Sequence, residues 1–121
     1  MKANNTITHI EIPAPNLEKA ISFYSELFNW KIEIMVENSY AYFIIGDTNS
    51  GGGLDASLKP AQENCGPQIV VDVENIEETL NKIQVLGGIV TKPKTEIDGG
   101  HGFYACFKDP NGNYLQVHSR A

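Results

Sequence analysis

The chain has 121 residues, 41% of them apolar and 20% charged, and its nine Lys and Arg face fifteen Asp and Glu for a formal charge of −6. That length fits one compact domain or two small subdomains sharing a core, and it excludes a two-domain dehydrogenase, a kinase or a TIM barrel. The shortage of cations speaks against nucleic acid and anionic membrane surfaces as partners, since both are bound through Lys and Arg.

Met1–Asn5 leads straight into a strand-like segment with no apolar stretch of a secretory leader. Ile7 to Ile12 alternate in the period of a two-faced strand, and Pro13-Ala14-Pro15 stops it. Asn16 is a good N-cap, and Leu17, Ala20, Ile21, Tyr24, Leu27 and Phe28 form one apolar helical stripe. Trp30–Val36 and Tyr40–Ile45 read as strands about a turn at Glu37-Asn38. A polar turn at Asp47–Ser50 follows. Gly51-Gly52-Gly53 reads as a flexible turn or thinned strand; it is no phosphate loop, because no Lys-Ser/Thr and no helix come after it. Leu54–Leu58 is expected as a fourth strand, and Lys59–Gly66 as a polar linker.

The second half repeats the order. Gln68–Val73 is a strand, and Asn75 with Glu78 offers a capping-box start to a helix carrying Ile76, Leu80, Ile83 and Leu86. Gly87-Gly88 ends that helix, Ile89–Thr91 and Gly102–Lys108 are strands, and Asp109–Asn113 is a turn before a last strand at Tyr114–His118. Asn16 and Asn75 begin equivalent helices fifty-nine residues apart. The class is therefore α+β, two βαβββ modules (about 6–58 and 67–119, joined by a linker at about 59–66). Packed together with their helices outside, two curled mixed sheets would form a cup able to hold a small ligand.

Several residues sit where such a cup would be lined. His9 shares a strand face with Glu11, and reads either as a hydrogen-bonded imidazole or as a metal ligand; Glu11 is a candidate general base. Gln116 and His118 share a face of the last strand. Of the pairs Tyr42/Phe43 and Phe103/Tyr104, alternation sends one member inward. His101, among glycines, rides a loop. Cys65 and Cys106 lie in no CxxC or zinc-ribbon spacing and read as reduced thiols, with Cys106 as core filling, so a cytoplasmic location is expected.

The segments HIEIPAPNLEKAISFYSELFNW, VDVENIEETLNKIQVLGG and FKDPNGNYLQVHS resemble the vicinal oxygen chelate superfamily (glyoxalase I, bleomycin and fosfomycin resistance proteins, extradiol dioxygenases), and most of all its glyoxalase-like group related to lactoylglutathione lyase. The resemblance implies a divalent metal (Zn, Ni, Mn or Fe) in the cup, held by two ligands per module, or none, as in the bleomycin-resistance members. It places metal ligands at His9, Gln68 and Gln116, with the fourth somewhere in Gly51–Ala56, where Asp55 is the only carboxylate. The implied pocket is His9, Glu11, Gln68, Phe103, Gln116 and His118. Gln116 stands where glyoxalase I has Glu, and Pro13 where it has an Arg that recognises glutathione; both speak against lactoylglutathione lyase activity itself. Two functions stay open: a metal-assisted lyase or isomerase of a small oxygenated substrate, and a metal-free binder of a small molecule or antibiotic. Dimers are common in the superfamily, so a homodimer is expected.

Overall fold

The computed structural model describes residues 5–46 and 50–121. Residues 1–4 lie outside it, as do 47–49, where most of the expected polar turn at Asp47–Ser50 falls. The chain divides into two compact units, Met1–Lys59 and Pro60–Ala121.

Unit 1 runs β1 (His9–Pro13), α1 (Leu17–Leu27), β2 (Lys31–Val36), β3 (Tyr40–Ile44) and β4 (Gly51–Asp55). Its sheet has the order β1-β4-β3-β2, with β1 parallel to β4 and the other pairs antiparallel. Asn16 starts α1 as expected: its side chain accepts the Lys19 N–H at 3.1 Å, satisfying a donor the helix leaves open. Leu17, Ala20, Phe23, Tyr24 and Leu27 are then buried on one stripe against Ile12, Ala41, Phe43 and Leu54 of the sheet. Trp30 fills the gap between helix and sheet, stacked on Tyr24 (centroids 5.1 Å apart) and on Phe43 (4.6 Å). Such ring pairs add about 0.5–1.5 kcal/mol each beyond the area they bury.

The fourth strand is Gly51–Asp55, not Leu54–Leu58. Glycine has poor strand propensity, but β4 pairs on both sides, with β1 and β3, and that pairing overrides it. The strand stops at Asp55, whose carboxylate accepts the Ser57 N–H (2.8 Å) and hydroxyl (2.6 Å) and turns the chain.

Unit 2 repeats the plan with β5 (Val70–Asp72), α2 (Ile76–Val85), β6 (Ile89–Glu96), β7 (Phe103–Lys108) and β8 (Tyr114–Ser119), in the order β5-β8-β7-β6. β5 is again parallel to β8. Asn75 caps α2 by accepting the Glu78 N–H at 3.0 Å. β6 runs on past Thr91 to Glu96 and contains Pro93, tolerated because β6 is an edge strand with register shifts on either side of Lys92. Ile76, Ile83, Ala105, Phe107, Leu115 and Val117 make the core. In the Asp109–Asn113 turn the buried Asp109 carboxylate accepts the Asn111 and Asn113 N–H groups, both at 2.9 Å, and the Asn113 amide at 2.8 Å.

Candidate functional site

The sheet of unit 1 shows one face to α1. On the other face, pairing and alternation place His9 and Glu11 of β1, Gly51, Gly53 and Asp55 of β4, and Tyr40, Tyr42 and Ile44 of β3. Glu11 is the hub of this face. Its Oε2 meets His9 Nε2 and accepts the Tyr40 hydroxyl at 2.7 Å; the Tyr40 oxygen also lies 3.3 Å from His9 Nε2. Tyr42 stands edge-on to the His9 and Tyr40 rings. Burial, then the hydrogen bond and charge of Glu11, push the Tyr40 hydroxyl up to about 12, so it stays a donor at neutral pH. Sequence reasoning missed Tyr40. Its signal was available: it stands two residues from Tyr42 and so shares its face.

Beside this cluster lies a cleft of about 510 Å³ lined by His9, Tyr42, Ile44 and Gly51 together with Lys31 and Glu33. It is mostly apolar at its walls with a few polar groups at one side, the usual make-up of a small-molecule site.

The internal repeat now locates the fourth position of the implied metal site. Glu11 and Val70 stand at the same distance before the N-caps Asn16 and Asn75, and their parallel partners are Gly53 and Gln116. The counterpart of Gln116 in unit 1 is therefore Gly53, which has no side chain to offer. A Cβ there would collide with the Tyr40 hydroxyl, which occupies the space a ligand side chain would need. Asp55, the only carboxylate of that stretch, is the counterpart of His118 and is bonded to Ser57, which holds its carboxyl below the usual range. Among the described residues of either unit, no three His, Cys, Asp or Glu side chains gather closely enough to share a metal ion. The donors do not fit a four-ligand hard-cation site.

In unit 2, Gln116 lies on the face of β8 that carries His118, opposite Cys106, and Gln68 precedes β5 with its amide donating to the Gly66 carbonyl at 3.2 Å. Phe103 pairs with Ser119 and shares its side of β7 with the buried Ala105 and Phe107, so Tyr104, not Phe103, lies on the face of Gln116 and His118. Cys106 is likewise on that face, half-buried rather than in the core, and burial raises its thiol pKa. His118 bridges two acceptors, the Asp72 carboxylate at Nδ1 (2.7 Å) and the His101 carbonyl at Nε2 (2.8 Å); the His101 bond first, then Asp72, hold its pKa above the ordinary value.

The sequence profile of the Glyoxalase/Bleomycin resistance protein/Dioxygenase superfamily matches residues 6–117, nearly all of both units. The chain belongs to this superfamily. Among curated superfamily relatives it is 26% identical to a probable lactoylglutathione lyase of Vibrio cholerae serotype O1, covering 95% of this chain and 91% of that protein. It is 24% identical to the metallothiol transferase FosB of Shouchella clausii, over 95% of this chain and 80% of that one. Among solved structures of the glyoxalase fold, the fosfomycin resistance protein FosX from Listeria monocytogenes, complexed with Mn(II) and sulfate, superimposes with a TM-score of 0.78 at 20% identity, over 98% of this chain and 93% of that one. A lactoylglutathione lyase from Agrobacterium tumefaciens gives 0.68 at 17% identity, over 98% and 96% of the two chains. At these identities the structures establish the superfamily fold, and the chemistry rests on the residues of this chain.

Proposed function

We propose that this superfamily member binds a small planar or amphipathic molecule in the cleft of unit 1 and does so without a resident metal. The observation that carries this reading is the pairing of Gly53 with Tyr40: the fourth ligand position has no donor, and a phenol hydroxyl stands in the space above it. His9, which lines the cleft and is held by Glu11, whose carboxylate also takes the Tyr40 hydroxyl, then acts as the hydrogen-bonding group at one side of an aromatic and aliphatic wall. A ligand oxygen or nitrogen would bond to that group while its apolar body packs on Tyr42 and Ile44.

The other function the superfamily offers is a metal-assisted lyase or isomerase, in which the ion would polarise a substrate oxygen as a Lewis acid. It would have to be built on His9, Gln68 and Gln116, with Glu11 as base. Two of those ligands are neutral amides, and Glu11 already holds Tyr40 and His9. The metal-free reading is preferred on that chemistry.

We further read the protein as a cytoplasmic homodimer. Both cysteines are free, no helix among the described residues is long and apolar enough to cross a membrane, and β2, an edge strand, exposes Ile34, Met35 and Val36 in a row.

The decisive experiment is elemental analysis of protein made without chelator and offered Zn, Ni, Mn or Fe. The expected outcome is substoichiometric metal and a melting temperature unmoved by chelation. A stoichiometric ion whose removal lowers the melting temperature would overturn the reading.

A further inference from the structure

We propose a second binding site in unit 2, at the β6–β7 connection, for a compact oxyanion such as inorganic phosphate. The cavity measures about 510 Å³ and is lined by Gly100, His101, Gly102, His118 and Arg120. Two of the three histidines and the only arginine of a chain of net charge −6 thus meet around one space, and no carboxylate lines it. Such a concentration of cationic and imidazole groups in an acidic chain marks out this loop of unit 2.

Three further observations support an anion as the occupant. Arg120 makes no ion pair among the described residues, so its guanidinium keeps its donors for a ligand. The backbone N–H groups of Gly100 and His101 donate to no acceptor among the described residues. Gly99, Gly100 and Gly102 all take positive φ (+88°, +77° and +91°), the kind of turn in which successive N–H groups can cradle an anion. The His118 ring itself is fixed at the cavity wall by its bonds to the Asp72 carboxylate and the His101 carbonyl.

The loop is also held in place. A Cβ on Gly102 would run into the Ser119 carbonyl and crowd the His118 ring, so only glycine lets the connection lie this close to the end of β8. Opposing charge comes from Asp72 and Glu74, which line a neighbouring cavity of about 420 Å³, and from Asp98 just before Gly99. These carboxylates favour a small anion over a polyanion.

The test is a titration of nitrogen-labelled protein with inorganic phosphate against sodium chloride of equal ionic strength, followed by the backbone and histidine-ring NMR signals. Saturable shifts are expected at Gly100, His101, Gly102 and Arg120. Arg120→Ala is expected to weaken binding about tenfold and Arg120→Lys by less, since Lys keeps the charge but loses the planar fork. Lys94→Ala, a cation of the same unit placed over Phe103, is expected to leave binding unchanged. Arg120 and Lys94 are at the surface or half-buried, so unchanged signals elsewhere will verify the fold of each variant. A parallel titration with acetate separates a site for tetrahedral anions, which acetate leaves empty, from one that accepts carboxylates as well. Shifts that rise linearly without saturation, or saturation unaltered by Arg120→Ala, would mean an adventitious ion only and overturn the proposal.

Discussion

The two units share strand order, cap position and core, yet they treat the exposed face of the sheet in opposite ways. Their registers make Phe43 the counterpart of Phe107, Leu54 of Val117 and Tyr40 of Tyr104. On the middle strand, however, Gly51, Gly52 and Gly53 of unit 1 stand where unit 2 has Tyr114, Leu115 and Gln116. Gly51 and Gly52 border the cleft beside His9 and Tyr42, and the space above Gly53 is taken by the Tyr40 hydroxyl, while unit 2 carries side chains at all three positions. The tyrosines diverge accordingly. Tyr40 reaches Glu11, whereas Tyr104 faces a unit in which Glu11 is replaced by Val70, and its ring instead lies 5.0 Å from the Lys92 ammonium. Backbone pairing and the helix-facing residues hold the repeat together, so the opposite face is free to differ.

The largest test of that claim is on the shared side. Phe43→Ala and Phe107→Ala each delete a fully buried ring from equivalent places. Each is expected to lose about 3–5 kcal/mol in urea denaturation, by lost transfer energy and the cavity left behind. Phe43→Ala should be the worse of the two, because it also removes the partner of Trp30 in the ring stack. If one substitution were silent, the two cores would not be equivalent.

A smaller effect is expected from writing the residue of unit 2 into unit 1. Gly53→Gln places a side chain where the Tyr40 hydroxyl stands, and overpacking of this kind costs about 1–3 kcal/mol. It should also disturb the cluster beside the cleft and so weaken any ligand bound there. Adding Tyr40→Ala removes the obstacle, so the double variant is expected to recover stability relative to Gly53→Gln alone. A double-mutant cycle with no coupling between the two positions would break the argument that Tyr40 fills the space above Gly53.

How much of this was legible beforehand follows from the range of each interaction. The helix starts at Asn16 and Asn75 were readable because a cap is local: the side chain satisfies an N–H three residues on. The strand at Gly51–Asp55 was not, since its glycines carry no strand signal and the pairing with β1 and β3 that creates it is long-range. Alternation narrowed Phe103/Tyr104 to two choices, but only the pairing of Phe103 with Ser119 decides between them. The same holds for the site. His9 and Glu11 were visible as neighbours on one face, and Tyr40 by its spacing from Tyr42, while the contact of Tyr40 with Glu11 and its place over Gly53 appear only once the strands are set in register.

The smallest effect isolates the Tyr40–Glu11 contact itself. Tyr40→Phe keeps the ring and removes one donor, and is expected to cost about 0.5–1.5 kcal/mol at neutral pH. Its signature is the pH dependence. The Tyr40 hydroxyl ionises at about 12 in the folded protein against 10.0 for a free tyrosine, so above pH 10.0 the unfolded chain releases a proton that the folded chain retains. The contribution of this group is fully present below pH 10.0 and is lost as pH rises toward about 12, so stability falls with pH across that window. In Tyr40→Phe that part of the slope is expected to vanish, and the penalty of the substitution should shrink as the alkaline limit is approached. Glu11→Gln offers the complementary test. It removes the charge that opposes ionisation but not the burial, which is the larger cause, so it should lower the Tyr40 transition only part of the way to the free value. An ultraviolet titration of tyrosinate in the two variants and the parent measures both effects, and an unshifted transition in Glu11→Gln would show that the contact carries no charge coupling.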